Sequence, residues 1–189
     1  MTIYYLRHEH RPMDDSTFNT ELTDKGKETA RTELKRLLLK LDIKKVFCSP
    51  FIRCQQTIHP FIDRTDLTIN VENCLQEVYW DPKFLDNPKS ELSSQQKEFY
   101  KVNNSYNSLL PPNTLSYPED KNSVRKRVKL LTDYLKNKNY TDNILVCSHM
   151  GIVNVLLSQM GNNIDRAEND FYDMGKVSKI VDDKIVFLN

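Results

Sequence analysis

Three places in the chain set basic side chains and histidines where an apolar run stops. Arg7-His8-Glu9-His10-Arg11 follows Ile3-Tyr4-Tyr5-Leu6. Cys48-Ser49-Pro50 ends a second run, with Arg53 shortly after it. Cys147-Ser148-His149-Met150-Gly151 ends a third. If Arg7, Arg53 and His149 converge, they can grip the oxygens of a tetrahedral anion such as phosphate, because the planar guanidinium donates paired hydrogen bonds. Opposite charges ~4 Å apart at an effective dielectric near 20 attract by about 4 kcal/mol each, before desolvation is counted. The same cations disfavour protonation of His8, and a neutral imidazole is a nucleophile. Attack by His8 on phosphorus would leave a phosphohistidine for water to cleave, and the leaving oxygen would need a proton. Glu77, in Leu75-Gln76-Glu77-Val78-Tyr79-Trp80, is the best-placed acid, with Glu72 and Asp81 near it in sequence.

The elements that must position these residues are visible as patterns. Ile3 to Leu6, Lys45 to Cys48, Leu67 to Val71 and Ile144 to Cys147 are short runs rich in Val, Ile, Tyr and Phe, the character of buried strands. Ala30, Leu34, Leu37, Leu38 and Leu41 predict a helix over Thr23 to Leu41, with Thr23 as its N-cap. Ser49-Pro50 reads as an N-cap followed by proline at the first helical position, with Ile58, Phe61 and Ile62 as the buried stripe. A further helix is expected over Asn122 to Lys136, with Val124, Val128, Leu131 and Leu135 inward and its Lys and Arg outward. Another follows His149 and ends near Gly161. Lys176 to Val181 and Lys184 to Leu188, joined by Asp182-Asp183, predict a terminal hairpin. Strands alternating with helices indicate an α/β fold with a mainly parallel sheet, in which ligands bind beyond the carboxyl ends of the strands.

One domain is expected over residues 1–189. The stretch from about 79 to 121 is rich in Pro, Asn, Ser and Tyr, and reads as an insertion covering the site, with a short helix around Leu92 to Tyr100. Within it Tyr79, Trp80, Lys83, Lys89, Tyr100 and Lys101 are candidates to face the pocket. The 27 Lys and Arg against 26 Asp and Glu leave a formal charge of +1, which offers no general attraction to nucleic acid or an anionic membrane. No apolar run reaches the roughly 20 residues of a membrane span, and a cytoplasmic location is expected. Cys48, Cys54, Cys74 and Cys147 lack metal-ligand spacing and read as small buried hydrophobes in a reducing compartment. His10 is expected at a pocket rim, and His59 on the outer side of its helix.

The chain resembles the histidine phosphatase superfamily, whose members include phosphoglycerate mutases, fructose-bisphosphatases and tyrosine phosphatases of related fold. Arg7-His8 matches the opening Arg-His-Gly signature, with Glu9 in place of the glycine. Leu22-Thr23-Asp24-Lys25-Gly26-Lys27-Glu28-Thr29-Ala30, Ser49-Pro50-Phe51-Ile52-Arg53-Cys54-Gln55-Gln56-Thr57 and Ser148-His149-Met150-Gly151 match further segments in family order. The resemblance implies a three-layer α/β/α sandwich of the phosphoglycerate mutase-like kind. It implies that His8 is the phosphorylated nucleophile, that Arg7, Arg53 and His149 bind the phosphoryl group, and that Glu77 is the acid/base of the smaller branch. Arg11 is similar to an extra arginine of acid-phosphatase and tyrosine-phosphatase members and would be a further ligand. The expected activity is hydrolysis of a small-molecule phosphomonoester or a phosphoprotein. The alternatives are a mutase-type phosphotransferase, whose family pattern after Arg-His-Gly His10-Arg11-Pro12-Met13-Asp14 does not match, and a catalytically impaired phosphate-binding module. No metal or organic cofactor is required, since side-chain cations would neutralise the charge. A Glu9 carboxylate aimed into the pocket would weaken it; the other arrangement turns Glu9 away, to pair with Arg11 or a lysine.

Overall fold

The computed structural model describes residues 1–79, 90–138 and 140–189. Among the described residues, β1 (Ile3–Arg7), β2 (Ile43–Cys48), β3 (Ile69–Val71), β4 (Asn143–Ser148), β5 (Val177–Val181) and β6 (Lys184–Phe187) form one sheet in the order β3-β2-β4-β1-β5-β6. The first four are parallel to one another, and β5 and β6 add an antiparallel hairpin at one edge. The hairpin turns at Asp182 and Asp183, both with positive φ, as a tight two-residue connection demands.

The period-2 alternation of the strands divides the core into two halves. Tyr4, Leu6, Val46, Cys48, Leu145 and Cys147 point to one face. There they meet Leu34 and Leu38 of the first helical stretch and Ile58, Phe61 and Ile62 of α3 (Ile52–Ile62). Ile3, Tyr5, Phe47, Ile144 and Val146 point to the other. They meet α5 (Lys121–Asn137) and α6 (Met150–Met160). Helices therefore cover both faces, and the mostly parallel three-layer α/β/α architecture is the one expected.

The first helical stretch is continuous over 24–38. It comprises α1 (Asp24–Thr29), a π-helical turn at Ala30–Leu34 and α2 (Lys35–Leu38). Thr23 caps it, its hydroxyl accepting from the Gly26 N–H at 3.2 Å. α4 (Ser94–Phe99) falls where the short helix was expected and carries a capping box of Ser93 and Gln96. Two expectations need correcting. α3 begins at Ile52 with Phe51 as its N-cap, so Ser49 and Pro50 precede the helix. On α5, Arg127 is not outward; it is buried, where its guanidinium meets the Glu119 carboxylate and the Cys74 carbonyl.

β2, β4 and β1 are adjacent, with Cys48 level with Cys147 and Arg7 level with Ser148. The register brings three polar strand ends to one height. That alignment creates the site.

Candidate active site

His8 follows β1 directly, its N–H donating to the Ser148 carbonyl at 2.9 Å. The ring is 1% exposed, and its Nδ1 lies 2.7 Å from the Glu9 carbonyl oxygen. A carbonyl can only accept, so Nδ1 carries the hydrogen and Nε2 keeps its lone pair. Burial, with Arg53 and His149 nearby, holds the His8 imidazole well below its ordinary pKa. The ring is neutral at physiological pH. The segment is braced from behind by Gly175, whose N–H donates to the carbonyls of Arg7 and His8, both at 3.1 Å.

His149 is fully buried between β4 and α6, edge-on to His8 with ring centroids 5.3 Å apart. One ring nitrogen, Nε2, lies 2.9 Å from the Ser49 hydroxyl, and Nδ1 lies 3.2 Å from Glu77 Oε2. Ser49 thus fixes the His149 ring and does not cap a helix. Ser148 donates its hydroxyl to the Leu75 carbonyl at 2.7 Å.

Arg53, on the first turn of α3, is fully buried with its guanidinium 4.8 Å from the Phe51 ring centroid. Its Nη1 donates to the Thr17 carbonyl at 2.8 Å and its Nη2 to Glu77 Oε2 at 3.2 Å. Arg7 donates through Nη1 to the Tyr172 carbonyl. Arg11 donates through Nη1 to the carbonyls of Pro12 and Asp15, at 2.5 and 2.7 Å. Burial lowers the Arg7 and Arg11 pKa values, and Arg53 presses on both in the same direction. Among the described residues, the buried Nε atoms of Arg7, Arg11 and Arg53 have no acceptor. A cluster of cations with spare donors is a receptor for an anion.

The cluster satisfies part of that demand internally. Glu77 Oε2 bridges Arg53 and His149, while Oε1 accepts from the Val78 N–H at 3.0 Å. Burial opposes its charge, but His149, Arg53 and His8 outweigh it and hold the carboxyl well below its ordinary pKa. Glu72, one of its neighbours in sequence, lies elsewhere. Its buried carboxylate accepts from Tyr106, Ser108, Leu109 and Cys74. Asp81 lies outside the described residues, as do Trp80, Lys83 and Lys89.

Glu9 does not enter the cage. Its carboxylate packs on Gly175, where a Cβ would collide with it, and its nearest charges are Glu33 and Lys25. Burial raises its pKa. Of the two partners expected for a Glu9 turned away, Arg11 forms no ion pair with it, since Arg11 Nη1 is held by backbone carbonyls, whereas Lys25 is near enough to favour the Glu9 charge. His10 lies 3.0 Å through Nδ1 from the Thr23 hydroxyl at the start of α1. His59 is not on an open surface: it packs against Phe99 and Tyr100 and lies 3.3 Å from Asp63. Tyr100 and Lys101 accordingly sit at the far end of α3, with Lys101 paired to Asp63 at 3.0 Å. Tyr79 stays near the cage, packed on Phe51, with its hydroxyl 2.5 Å from the Ser16 carbonyl.

His8, Glu77 and His149 bring one ligand atom each within 4.8 Å of one another, a spacing compatible with a metal ion. Arg53 contacts the same group, with Arg7 and Arg11 near enough to feel its charge and that of Glu77, and this positive charge opposes a divalent cation and favours an oxyanion. The four cysteines are free and buried. Among the described residues no helix is long and apolar enough to cross a membrane.

A mostly parallel α/β/α sheet carries a cluster of histidines and arginines at the carboxyl ends of its central strands. Residues 6–181 match the family model of the histidine phosphatase superfamily, branch 1, and the chain belongs to that family. Comparison with curated protein sequences gives no match. Solved structures share the fold. One is the ecdysone phosphate phosphatase of Bombix mori in complex with tungstate (TM-score 0.73, 15% identity), which covers 100% of this chain and 92% of that one. Another is a putative alpha-ribazole-5'-P phosphatase of Escherichia coli (TM-score 0.67, 21% identity, 99% and 94% covered). A third is the protein histidine phosphatase SixA complexed with tungstate (TM-score 0.60, 18% identity, 99% and 94% covered).

Proposed function

We propose that the chain hydrolyses phosphomonoesters through a phosphohistidine formed on Nε2 of His8. The observation that carries this reading is the His8 ring: buried among cations, with Nδ1–H committed to the Glu9 carbonyl and Nε2 unprotonated. Arg7, Arg11, Arg53 and His149 bind the phosphoryl oxygens, and Glu77 is the proton donor.

The geometry supports the following steps. A dianionic phosphoryl group entering the cage competes with Glu77 for Arg53 and His149. As those contacts pass to the phosphate, Glu77 loses its compensating charges and gains an anionic neighbour; both changes raise its proton affinity, and it takes up a proton from solvent. The Nε2 lone pair of His8 then attacks phosphorus, the bond to the ester oxygen breaks, and Glu77 gives its proton to that oxygen. In the second half, carboxylate Glu77 takes a proton from water as the water oxygen attacks phosphorus. The P–N bond breaks, its electron pair returns to Nε2, and inorganic phosphate leaves. Once those contacts are made, the cage provides charge compensation at each bond-breaking step.

The substrate we propose is a small-molecule phosphomonoester or a phosphoprotein. The named relatives of like fold span both, an ecdysone phosphate and an alpha-ribazole phosphate on one side and a protein histidine phosphatase on the other. The segment 79–121 is proposed to set the choice, since Tyr79 at its start lies against Phe51 beside the cage.

The test is phosphate release from para-nitrophenyl phosphate. Hydrolysis is expected, and His8→Ala should lower kcat by at least about 10³-fold, the scale of losing a covalent nucleophile. Phosphate binding without turnover in the wild-type chain would replace this reading with that of a phosphate-binding module. Isomerisation of a phosphoglycerate without phosphate release would replace it with a mutase.

A further inference from the structure

Glu77 sits in a turn with no regular secondary structure of its own, yet its carboxylate must meet Arg53 and His149 within a few tenths of an ångström. The turn is held at three points. The Cys74 carbonyl accepts from Arg127 Nη1 at 2.6 Å, the Leu75 carbonyl accepts from Ser148 at 2.7 Å, and the Tyr79 carbonyl accepts from the Glu119 N–H at 3.0 Å. The first and third of these meet in a single device. Arg127 and Glu119 form a two-pronged pair, Nε to Oε1 and Nη2 to Oε2, both 2.7 Å, with their side chains 3% and 2% exposed. The Arg127 Nη2 also reaches the carbonyl of Glu77 itself, at 3.5 Å.

The pair is far from neutral in its placement. Arg127 comes from α5, whose buried stripe of Val124, Val128, Leu131 and Leu135 anchors it in the core. Glu119 stands just before that helix, where the chain returns from the segment 79–121. A buried ion pair is a poor source of stability, because desolvation of both charges offsets their attraction. What this one provides is geometry: the rigid guanidinium fork ties the stretch 74–79 to a helix.

We infer that the buried Arg127–Glu119 pair is a positioning device for the proton donor, aligning Glu77 with the leaving oxygen although neither residue touches the phosphoryl cage. The inference rests on the reading of Glu77 as that donor. Its consequence is specific. Loss of the device leaves the nucleophile and the cations in place and spoils proton delivery alone. Esters with acidic leaving groups, which need little protonation, should then react almost normally, whereas alkyl esters should not.

The experiment compares kcat/KM for para-nitrophenyl phosphate with that for glycerol 2-phosphate. The variants are Glu77→Gln, Arg127→Lys and the double variant Arg127→Met with Glu119→Leu. The double variant removes both charges together, so no unpaired ion is left buried. Arg127→Lys keeps the buried charge and supplies a second folded variant. Thermal melting and binding of inorganic phosphate establish that each is folded with its cage intact. The ratio of the two kcat/KM values should rise by at least about tenfold in Glu77→Gln and in the double variant, with Arg127→Lys in between. A rise in Glu77→Gln alone, with the Arg127 variants at the wild-type ratio, would overturn the positioning role and leave the donor standing. An unchanged ratio in Glu77→Gln would remove Glu77 as donor, and the inference with it.

Discussion

Glu77 carries a tension that makes its behaviour measurable. It is an ionised acid that occupies Arg53 and His149, two of the groups a phosphate would need. Replacing it by glutamine removes a competing anion from the cage while keeping the side chain's size. Inorganic phosphate should therefore bind Glu77→Gln more tightly, by about tenfold or more for one such charge at an effective dielectric near 20. Over the same substitution, hydrolysis of an alkyl phosphate should fall by about 10²–10⁴-fold, the range for loss of a general acid. Calorimetry with phosphate and initial rates on one preparation read both quantities. Weaker phosphate binding together with slower hydrolysis would mean that Glu77 holds the cage together and does not compete for it. At the same scale, the glutamate in the glycine position is tolerable because of a residue distant in sequence. Gly175 leaves room for the Glu9 carboxylate away from the phosphoryl site.

At the scale of elements, the strands and helices that carry the cage follow from local pattern. β1 and β4 are buried on both faces and read as apolar runs, β2 reads so only over its last three residues, Val46, Phe47 and Cys48, and α5 is fixed by the spacing of Val124, Val128, Leu131 and Leu135. What local pattern misses are side chains whose partner comes from far along the chain. Ser49 before Pro50 has every local mark of a helix cap, but His149, one hundred residues away, takes its hydroxyl and the helix begins at Ile52. Arg127 looks like one more outward cation of a basic helix until Glu119 and Cys74 are placed beside it. Glu72 belongs to the same class. Its buried carboxylate gathers two hydroxyls and two backbone N–H groups, tying the loop around Tyr106 and Ser108 to the end of β3. Glu72→Ala should destabilise the chain by about 2–4 kcal/mol, since several buried donors lose their acceptor at once. Denaturant unfolding checks it. A loss under about 0.5 kcal/mol would show that the loop is not held there.

For the whole molecule, His8 and the perturbed acids Glu77 and Glu9 contribute to how folding responds to pH. His8 has a folded pKa below its ordinary value of 6.5, so the unfolded chain binds the extra proton as pH drops below 6.5. Glu77 behaves alike below its ordinary 4.5, where the unfolded chain protonates first. Both remove stability as pH falls, His8 first and Glu77 after it. Glu9 acts oppositely: its folded pKa is raised, so the native state takes up the proton first and loses stability as pH rises above 4.5. Thermal melts across pH 4 to 8 should thus show stability falling below about pH 6.5 in the wild type. In Glu9→Gln the opposing contribution disappears, and the fall between pH 6.5 and 4.5 should steepen. An unchanged slope would place Glu9 in an environment like solvent. A mostly parallel sheet brings three strand termini to one level, and Ser49, Ser148 and His149 beside them are fully buried.

The most direct measurement is on the protein during turnover. The chain is mixed with a rapidly hydrolysed ester, quenched in alkali to preserve phosphoramidate, digested and sequenced by mass spectrometry. The account predicts a phosphoryl group on the peptide containing His8, absent from His8→Ala together with turnover. Turnover at the wild-type rate in His8→Ala, or a phosphoryl group trapped on another residue, would contradict it.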